Sequence, residues 1–231
     1  MSDVAAAGQA QPATITPSSG RYLEAAYYIR QEGEVVRRGR LADWLGVAPP
    51  TVTQALARLT RDGLVEPGPH RSVGFTAAGL RAAEEIVRRH RVAEVWLNRV
   101  LGFDWVTADL EAQRLSYSLS DRVIDQLQRV LGNPATCPHG NPIPGVEQPA
   151  GRLHCLGGLE PGRHAKIGRI SEVAEHEAPE LLTLLYAAGL TPGTEVIVGN
   201  RHVSGNGVVV EVGDRVHQLP DWAASAIWVE A

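Results

Sequence analysis

Between residues 40 and 76 the chain is stopped and restarted at closely spaced points, and this punctuation limits what it can fold into. A short helix over about Leu41–Leu45 is halted by Gly46. Pro49 and Pro50 then open a second helix, because proline is tolerated in a first turn that has no use for its missing N–H; this helix runs to about Asp62, with Gly63 just past its end. Leu64-Val65-Glu66 and Val73-Gly74-Phe75-Thr76 flank the tip Pro67–Ser72 and read as two short strands. Preceded by a helix carrying Tyr22, Leu23, Ala26, Tyr27 and Ile29 and ending near Gly33, the pattern predicts a winged helix-turn-helix over 21–76. Residues 1–20 have no apolar period and are expected to form a flexible arm.

A recognition helix needs a basic face, and the net charge of −4 on 231 residues speaks against one. The average conceals an asymmetry: residues 35–91 hold ten arginines against five carboxylates. The second helix would place Gln54 to bond an adenine edge and Pro50 to touch a thymine methyl. Thr51 and Thr53 offer hydroxyls, and Arg37, Arg38, Arg58, Arg61 and Arg71 offer charge to phosphates. With 44% hydrophobic and 21% charged residues the chain can build a core, which excludes disordered, collagen and coiled-coil classes. Two cysteines make no disulfide framework, and no secretion signal or apolar run of membrane-spanning length is found, so a cytoplasmic protein with no membrane partner is expected.

Thr76 can cap a long helix over about 77–101. One face of it reads Ala83, Val87, His90, Glu94, Leu97, Leu101, an apolar stripe interrupted by two titratable residues. Helices over about 107–119 and 120–131 carry more apolar positions than three helices can cover, which predicts a homodimer through a helical domain spanning 77–132. A Pro-rich linker fills 133–151. Beyond it, strands near 165–170, 194–199, 207–212, 215–219 and 226–229, with one helix over 179–188, predict a small five-stranded barrel over 152–231. The fold class is mainly α with a small β-barrel.

These stretches together resemble the metal-dependent transcriptional repressors of the diphtheria-toxin-repressor type, which include iron- and manganese-responsive regulators. The resemblance rests on Pro50-Thr-Val-Thr-Gln54 with Asp62-Gly-Leu-Val65, on Arg89-His-Arg-Val-Ala-Glu94, on Ser120-Asp-Arg-Val123 and on Cys137-Pro-His-Gly-Asn-Pro-Ile-Pro-Gly145, in the family's order. It implies a non-enzymatic DNA-binding domain, a helical dimerisation and metal-sensing domain and a C-terminal SH3-like (FeoA-like) domain. It also implies a homodimer on a palindromic double-stranded DNA operator controlling metal-homeostasis genes.

For the family's ancillary metal site the resemblance points to His90, Glu94, Asp109, Glu177 and Glu180. An imidazole and a carboxylate four apart on a helix converge on one point, and buried there they need a partner. A His–carboxylate core pair would serve His90 and Glu94 as well, and the helix dipole at Pro179 favours Glu177 and Glu180 in any case. At the family's primary site the chain departs: the corresponding positions are Arg21, Gln113, Ser116 and Tyr117, which are poor ligands, and only Glu24 survives nearby. One imidazole with several carboxylates suits Mn(II), with Fe(II) as the alternative. Cys137 and His139 could serve as a nucleophile and base, or as metal ligands with His154 and Cys155, but Pro138 between them suits a rigid turn in the linker better. The competing expectation is a regulator of the same fold that has lost metal sensing and acts constitutively or through another ligand.

Overall fold

The computed structural model describes residues 15–147, 151–201 and 207–231. Helix α1 (Pro17–Gln31) begins inside the stretch expected to be a flexible arm. Thr16 caps it by accepting a hydrogen bond from the Ser19 backbone N–H, and Pro17 presets its first turn. The weight given to Ser, Thr and Pro as loop formers concealed a capping signal. α1 is buried nearly all round, from Tyr22 to Ile29, because it lies at the centre of the molecule against four other helices.

α2 (Arg38–Leu45) ends in the left-handed turn at Gly46, and α3 (Pro49–Arg61) follows with Val52, Ala55, Leu56 and Leu59 on its buried face. The wing is the antiparallel pair β1 (Val65–Pro67) and β2 (Val73–Phe75), fastened to the entry of α2 by a Val73 N–H bond to the Val36 carbonyl. α4 (Ala77–Arg99) is capped by Thr76 and starts hard against the wing root, where a Cβ on Gly79 would fall 1.7 Å from the Leu64 carbonyl oxygen. Only glycine permits that approach.

α5 (Trp105–Leu115) packs on α4 through Leu97 and through Ala93, Ala108 and Ala112, small residues that bring the two axes close. α6 (Asp121–Val130) buries Ile124 against Val92 and Val95 but leaves Val123 and Val130 exposed, as α5 leaves Leu110. These side chains form the apolar surface from which a partner protomer was expected.

The linker is more ordered than its prolines suggest. Its segment 135–143 turns back on itself through the Thr136–Pro142 bridge and a Cys137 N–H bond to the Asn141 carbonyl, and Ile143 is buried beside Ile124. After it come β3 (Leu153–Cys155), β4 (His164–Ile170), α7 (Glu172–Glu177), α8 (Pro179–Ala188), β5 (Glu195–Arg201), β6 (Val208–Val212), β7 (Arg215–Leu219), α9 (Asp221–Ser225) and β8 (Ile227–Glu230). The sheet is antiparallel with order β3-β8-β4-β5-β6-β7, six strands where five were expected. β3 is three residues long at an edge, too short for alternation to reveal it. α8 covers the sheet with Leu181, Leu182 and Leu185. A β-bulge between Ile167 and Arg169, opposite β8, turns Arg169 toward the helical part of the molecule.

Candidate metal centre and nucleic-acid face

Two groups of titratable side chains meet where α1, α4, α5, the 135–143 loop and α7 converge. In the first, His90 on α4 lies between Asp109 of α5, whose Oδ1 is 3.0 Å from Nε2, and Glu24 of α1, whose Oε1 is 3.5 Å from Nδ1. Burial alone would push the imidazole pKa down; the Asp109 hydrogen bond and the Asp109 and Glu24 charges hold it up at about 10. Burial would raise Asp109, but His90 draws it below the ordinary carboxylate value. Glu24 also accepts hydrogen bonds from Tyr28 at 3.3 Å and from Tyr117 at 3.2 Å. Protein partners thus meet most of the polar atoms of this group, which lines one side of a cavity.

The second group lies one helical turn along α4. Glu94 Oε1 and His139 Nδ1 are 2.8 Å apart, and Glu175 Oε2 of α7 is 3.3 Å from the same nitrogen. Donor atoms of Glu94, Cys137 and His139 all fall within 4.8 Å of one another, in full burial. Yet both ring nitrogens of His139 and Glu94 Oε1 make no well-aligned hydrogen bond to protein, where in the first group only His90 Nδ1 is left so. Buried polar atoms left this way are costly unless something else satisfies them. A thiol, an imidazole and carboxylates aimed at one point are the donor types that bind borderline divalent cations, so these residues fit a metal.

The electrostatics agree. Burial, then the Glu94 charge, pushes the Cys137 thiol up to about 12, and burial, moderated by His139, lifts Glu175 to about 8. Burial would lower His139, but the Glu175 and Glu94 carboxylates hold it well above the ordinary imidazole value. Such groups hold protons that a cation would displace.

Of the sequence-derived ligands, His90, Asp109 and Glu24 fall in the first group and Glu94 in the second. Glu177 and Glu180 reach neither. Glu177 pairs with Arg40 of α2 at 2.6 Å, and Glu180 is exposed. The carboxylates brought inward are Glu172 and Glu175, because α7, a helix the sequence pattern did not reveal, turns that side toward α4 and ends before the break at Ala178. Glu172 is taken by Arg91, a fully buried guanidinium that also donates to the Pro142 carbonyl and lies under the Tyr28 ring. The members missed were Cys137, His139 and Glu175. The signal for the first two was a Cys-x-His spacing in a loop beside an apolar helix stripe, set aside because of Pro138.

The positions that depart from the primary site do not bind one another as a ligand set. Tyr117 packs on Gly20, where a Cβ would fall 2.7 Å from its ring, and Ser116 donates to the Gln113 carbonyl at 3.4 Å. Arg21 and Gln113 line a cavity of about 180 Å³ that opens on the first group.

At the other end of the molecule α3 exposes Pro50, Thr51, Thr53, Gln54 and Arg61 opposite its buried face. Thr53 Oγ1 donates to the Pro49 carbonyl at 3.1 Å, leaving Gln54 as the free amide of that turn. Arg58 is half-buried, and Arg37, Arg38 and Arg71 are exposed beside the helix at the α2 entry and wing. His70 and Arg71 sit at the wing tip with φ of 52° and 62°.

Comparison with known proteins covers nearly the whole described chain. Residues 14–73 match the model of the iron-dependent repressor N-terminal DNA-binding domain, 76–145 that of the iron-dependent repressor metal-binding and dimerisation domain, and 154–231 that of the FeoA domain. The iron-dependent repressor IdeR of Mycobacterium tuberculosis is 34% identical over 226 residues, covering 90% of this chain and 95% of that protein. The diphtheria toxin repressor of Corynebacterium diphtheriae is 34% identical over 213 residues, covering 86% and 93%. A solved manganese-dependent transcriptional repressor in complex with manganese superposes with a TM-score of 0.82 at 30% identity, covering 92% of this chain and 99% of that one.

Proposed function

The chain belongs to the iron-dependent repressor family of DNA-binding transcriptional regulators, and on that premise we propose that it is a cytoplasmic, non-enzymatic homodimer whose hold on a palindromic operator is raised by a divalent metal. The observation that carries the metal dependence is the buried group Glu94, Cys137 and His139, with its unbonded ring nitrogens, closed from the SH3-like side by Glu175. These four residues would hold the ion, which supplies positive charge that ties α4, the 135–143 loop and α7 together. His90, Asp109 and Glu24 form the neighbouring group, more nearly satisfied by protons and protein partners, with only His90 Nδ1 unbonded. Glu177 and Glu180 have no part in either.

The thiol changes the choice of metal. Without it the donor set favoured Mn(II); a thiolate is a softer donor that suits Fe(II) better than Mn(II), so of the two Fe(II) becomes the stronger candidate and Mn(II) the alternative. On the DNA side, Gln54 and Pro50 read bases, Thr51 and Thr53 support them, and Arg37, Arg38, Arg58, Arg61 and Arg71 meet phosphates. Dimerisation through Leu110, Val123 and Val130 places two recognition helices on successive half-sites.

Metal control needs only differential affinity: a 100-fold preference of the ion for the operator-competent arrangement shifts that equilibrium by about 2.7 kcal/mol. A gel-shift titration on the protein's own promoter region with Fe(II), Mn(II) and chelator tests the proposal. Binding that rises with metal and collapses with chelator is expected; equal binding in all conditions overturns the metal dependence. The closed Glu24–Tyr117 contact favours the second reading, a constitutive regulator of the same fold, which predicts that equal binding.

A further inference from the structure

We infer that Arg169 and Asn141 form a positioning relay that links the Glu94–Cys137–His139–Glu175 centre to the DNA-binding domain through Glu32. The inference rests on the metal-binding reading above. Asn141 is fully buried, and its side-chain amide donates to Glu175 Oε1 at 2.6 Å and to the Ile170 carbonyl at 2.9 Å. That bond fixes one carboxylate oxygen of Glu175, while the other lies 3.3 Å from His139. The Asn141 carbonyl oxygen accepts from Arg169 Nη1 at 3.2 Å. The same guanidinium grips Glu32, the C-terminal cap residue of α1, with Nη1 at 2.5 Å from Oε1 and Nη2 at 3.3 Å from Oε2. Glu32 Oε1 further accepts the backbone N–H of Glu172, the first residue of α7.

The backbone around this chain is built to hold it still. The bulge in β4 aims Arg169 inward, and its guanidinium lies over the Trp228 ring at 4.9 Å. Gly140 presses on the bulge so closely that a Cβ would fall 2.1 Å from the Gly168 carbonyl oxygen, and the Ile170 N–H bonds the His139 carbonyl at 2.8 Å. The loop carrying two metal donors and the strand carrying Arg169 therefore move together. A planar fork bonded at once to an amide and a carboxylate transmits position as well as charge. Other contacts join α7 to the DNA-binding domain, among them Glu177 with Arg40 and His176 stacked on Trp44, but these two touch no metal donor. They dock the domain without reporting on the centre.

The test is a thermodynamic cycle on the full chain. Mn(II) affinity is measured by calorimetry with and without operator DNA, and the ratio of the two is the coupling factor, which linkage makes identical in the reverse direction. Arg169→Gln and Glu32→Gln are each expected to lower that factor by about tenfold or more, and the double variant to do no further harm. Mn(II) affinity without DNA and operator affinity without metal should each stay within about threefold of wild type. Arg169→Lys, which keeps the Glu32 pair but cannot hold Asn141 at the same time, should give an intermediate factor, and Glu177→Gln the wild-type one. The Glu32 side chain is largely buried, but Glu32→Gln is nearly isosteric and keeps a hydrogen-bonding oxygen, so it serves as the milder variant should Arg169→Gln unfold. An unchanged factor in folded Glu32→Gln, or an equal loss in Glu177→Gln, overturns the relay. Absence of any Mn(II) isotherm in the wild-type protein overturns the metal-binding reading itself, and the relay with it.

Discussion

The two titratable groups on α4, one turn apart, each pair an imidazole with carboxylates, the second adding a thiol, and they differ in how far the protein completes them. Around His90 each nitrogen faces a carboxylate, the carboxylates gain tyrosine or imidazole partners, and a proton bound up to about pH 10 supplies the charge. Around His139 the Glu94 and Glu175 carboxylates face one ring nitrogen at 2.8 and 3.3 Å without a well-aligned hydrogen bond, and the other ring nitrogen has no hydrogen-bond partner among the described residues. Composition alone ranks the first group as the better hard-metal site. The state of the lone pairs ranks the second, because a ligand set that has solved its own desolvation gains less from a cation than one that has not.

The largest effect that could break this contrast comes from emptying the second group. His139→Ala or Glu94→Ala should lower metal affinity by about 100-fold or more and abolish metal-stimulated operator binding, because each removes a direct donor; equilibrium dialysis with Mn(II) or Zn(II) reads it. His90→Gln should cost less than tenfold in the same measurement, and a loss as large as that of His139→Ala would reverse the ranking.

The proton in the first group makes a prediction of its own, smaller in size. His90 has a folded pKa of about 10 against 6.5 for the free side chain, so its imidazolium stabilises the metal-free fold fully below pH 6.5, and that contribution is lost as pH rises through 10. Thermal melts of metal-free protein should fall across that window, and His90→Gln should flatten the slope; parallel curves for the two proteins would show that the proton is not held there. Smaller again, Glu177→Gln and Glu180→Gln should leave metal affinity unchanged within error, since one breaks a largely exposed pair with Arg40 and the other touches neither group.

The winged helix-turn-helix was legible because glycine and proline positions dictate where helices stop, and Gly46, Pro49 and Gly63 stand where backbone chemistry needs them. The interrupted stripe at His90 and Glu94 was equally plain, since a buried titratable pair breaks a helical period. What the sequence could not disclose was three-dimensional completion. Cys137 and His139 come to Glu94 only because the linker folds back under Ile143, a tertiary event with no local period. Glu175 was misplaced in favour of Glu177 and Glu180 because α7 is six residues long, too short for periodicity to phase it. The same shortness hid α9 and β3.

A Cys137–metal bond is reported directly by Co(II), because a thiolate bound to it gives a sulfur-to-metal charge-transfer band in the near ultraviolet that oxygen and nitrogen donors do not. Titrating metal-free protein with Co(II) should raise that band to saturation at one equivalent per chain, and Cys137→Ser should remove it while leaving the far-ultraviolet circular dichroism unchanged. Stoichiometric Co(II) binding with no sulfur band in the wild-type protein would place the metal elsewhere and contradict the account.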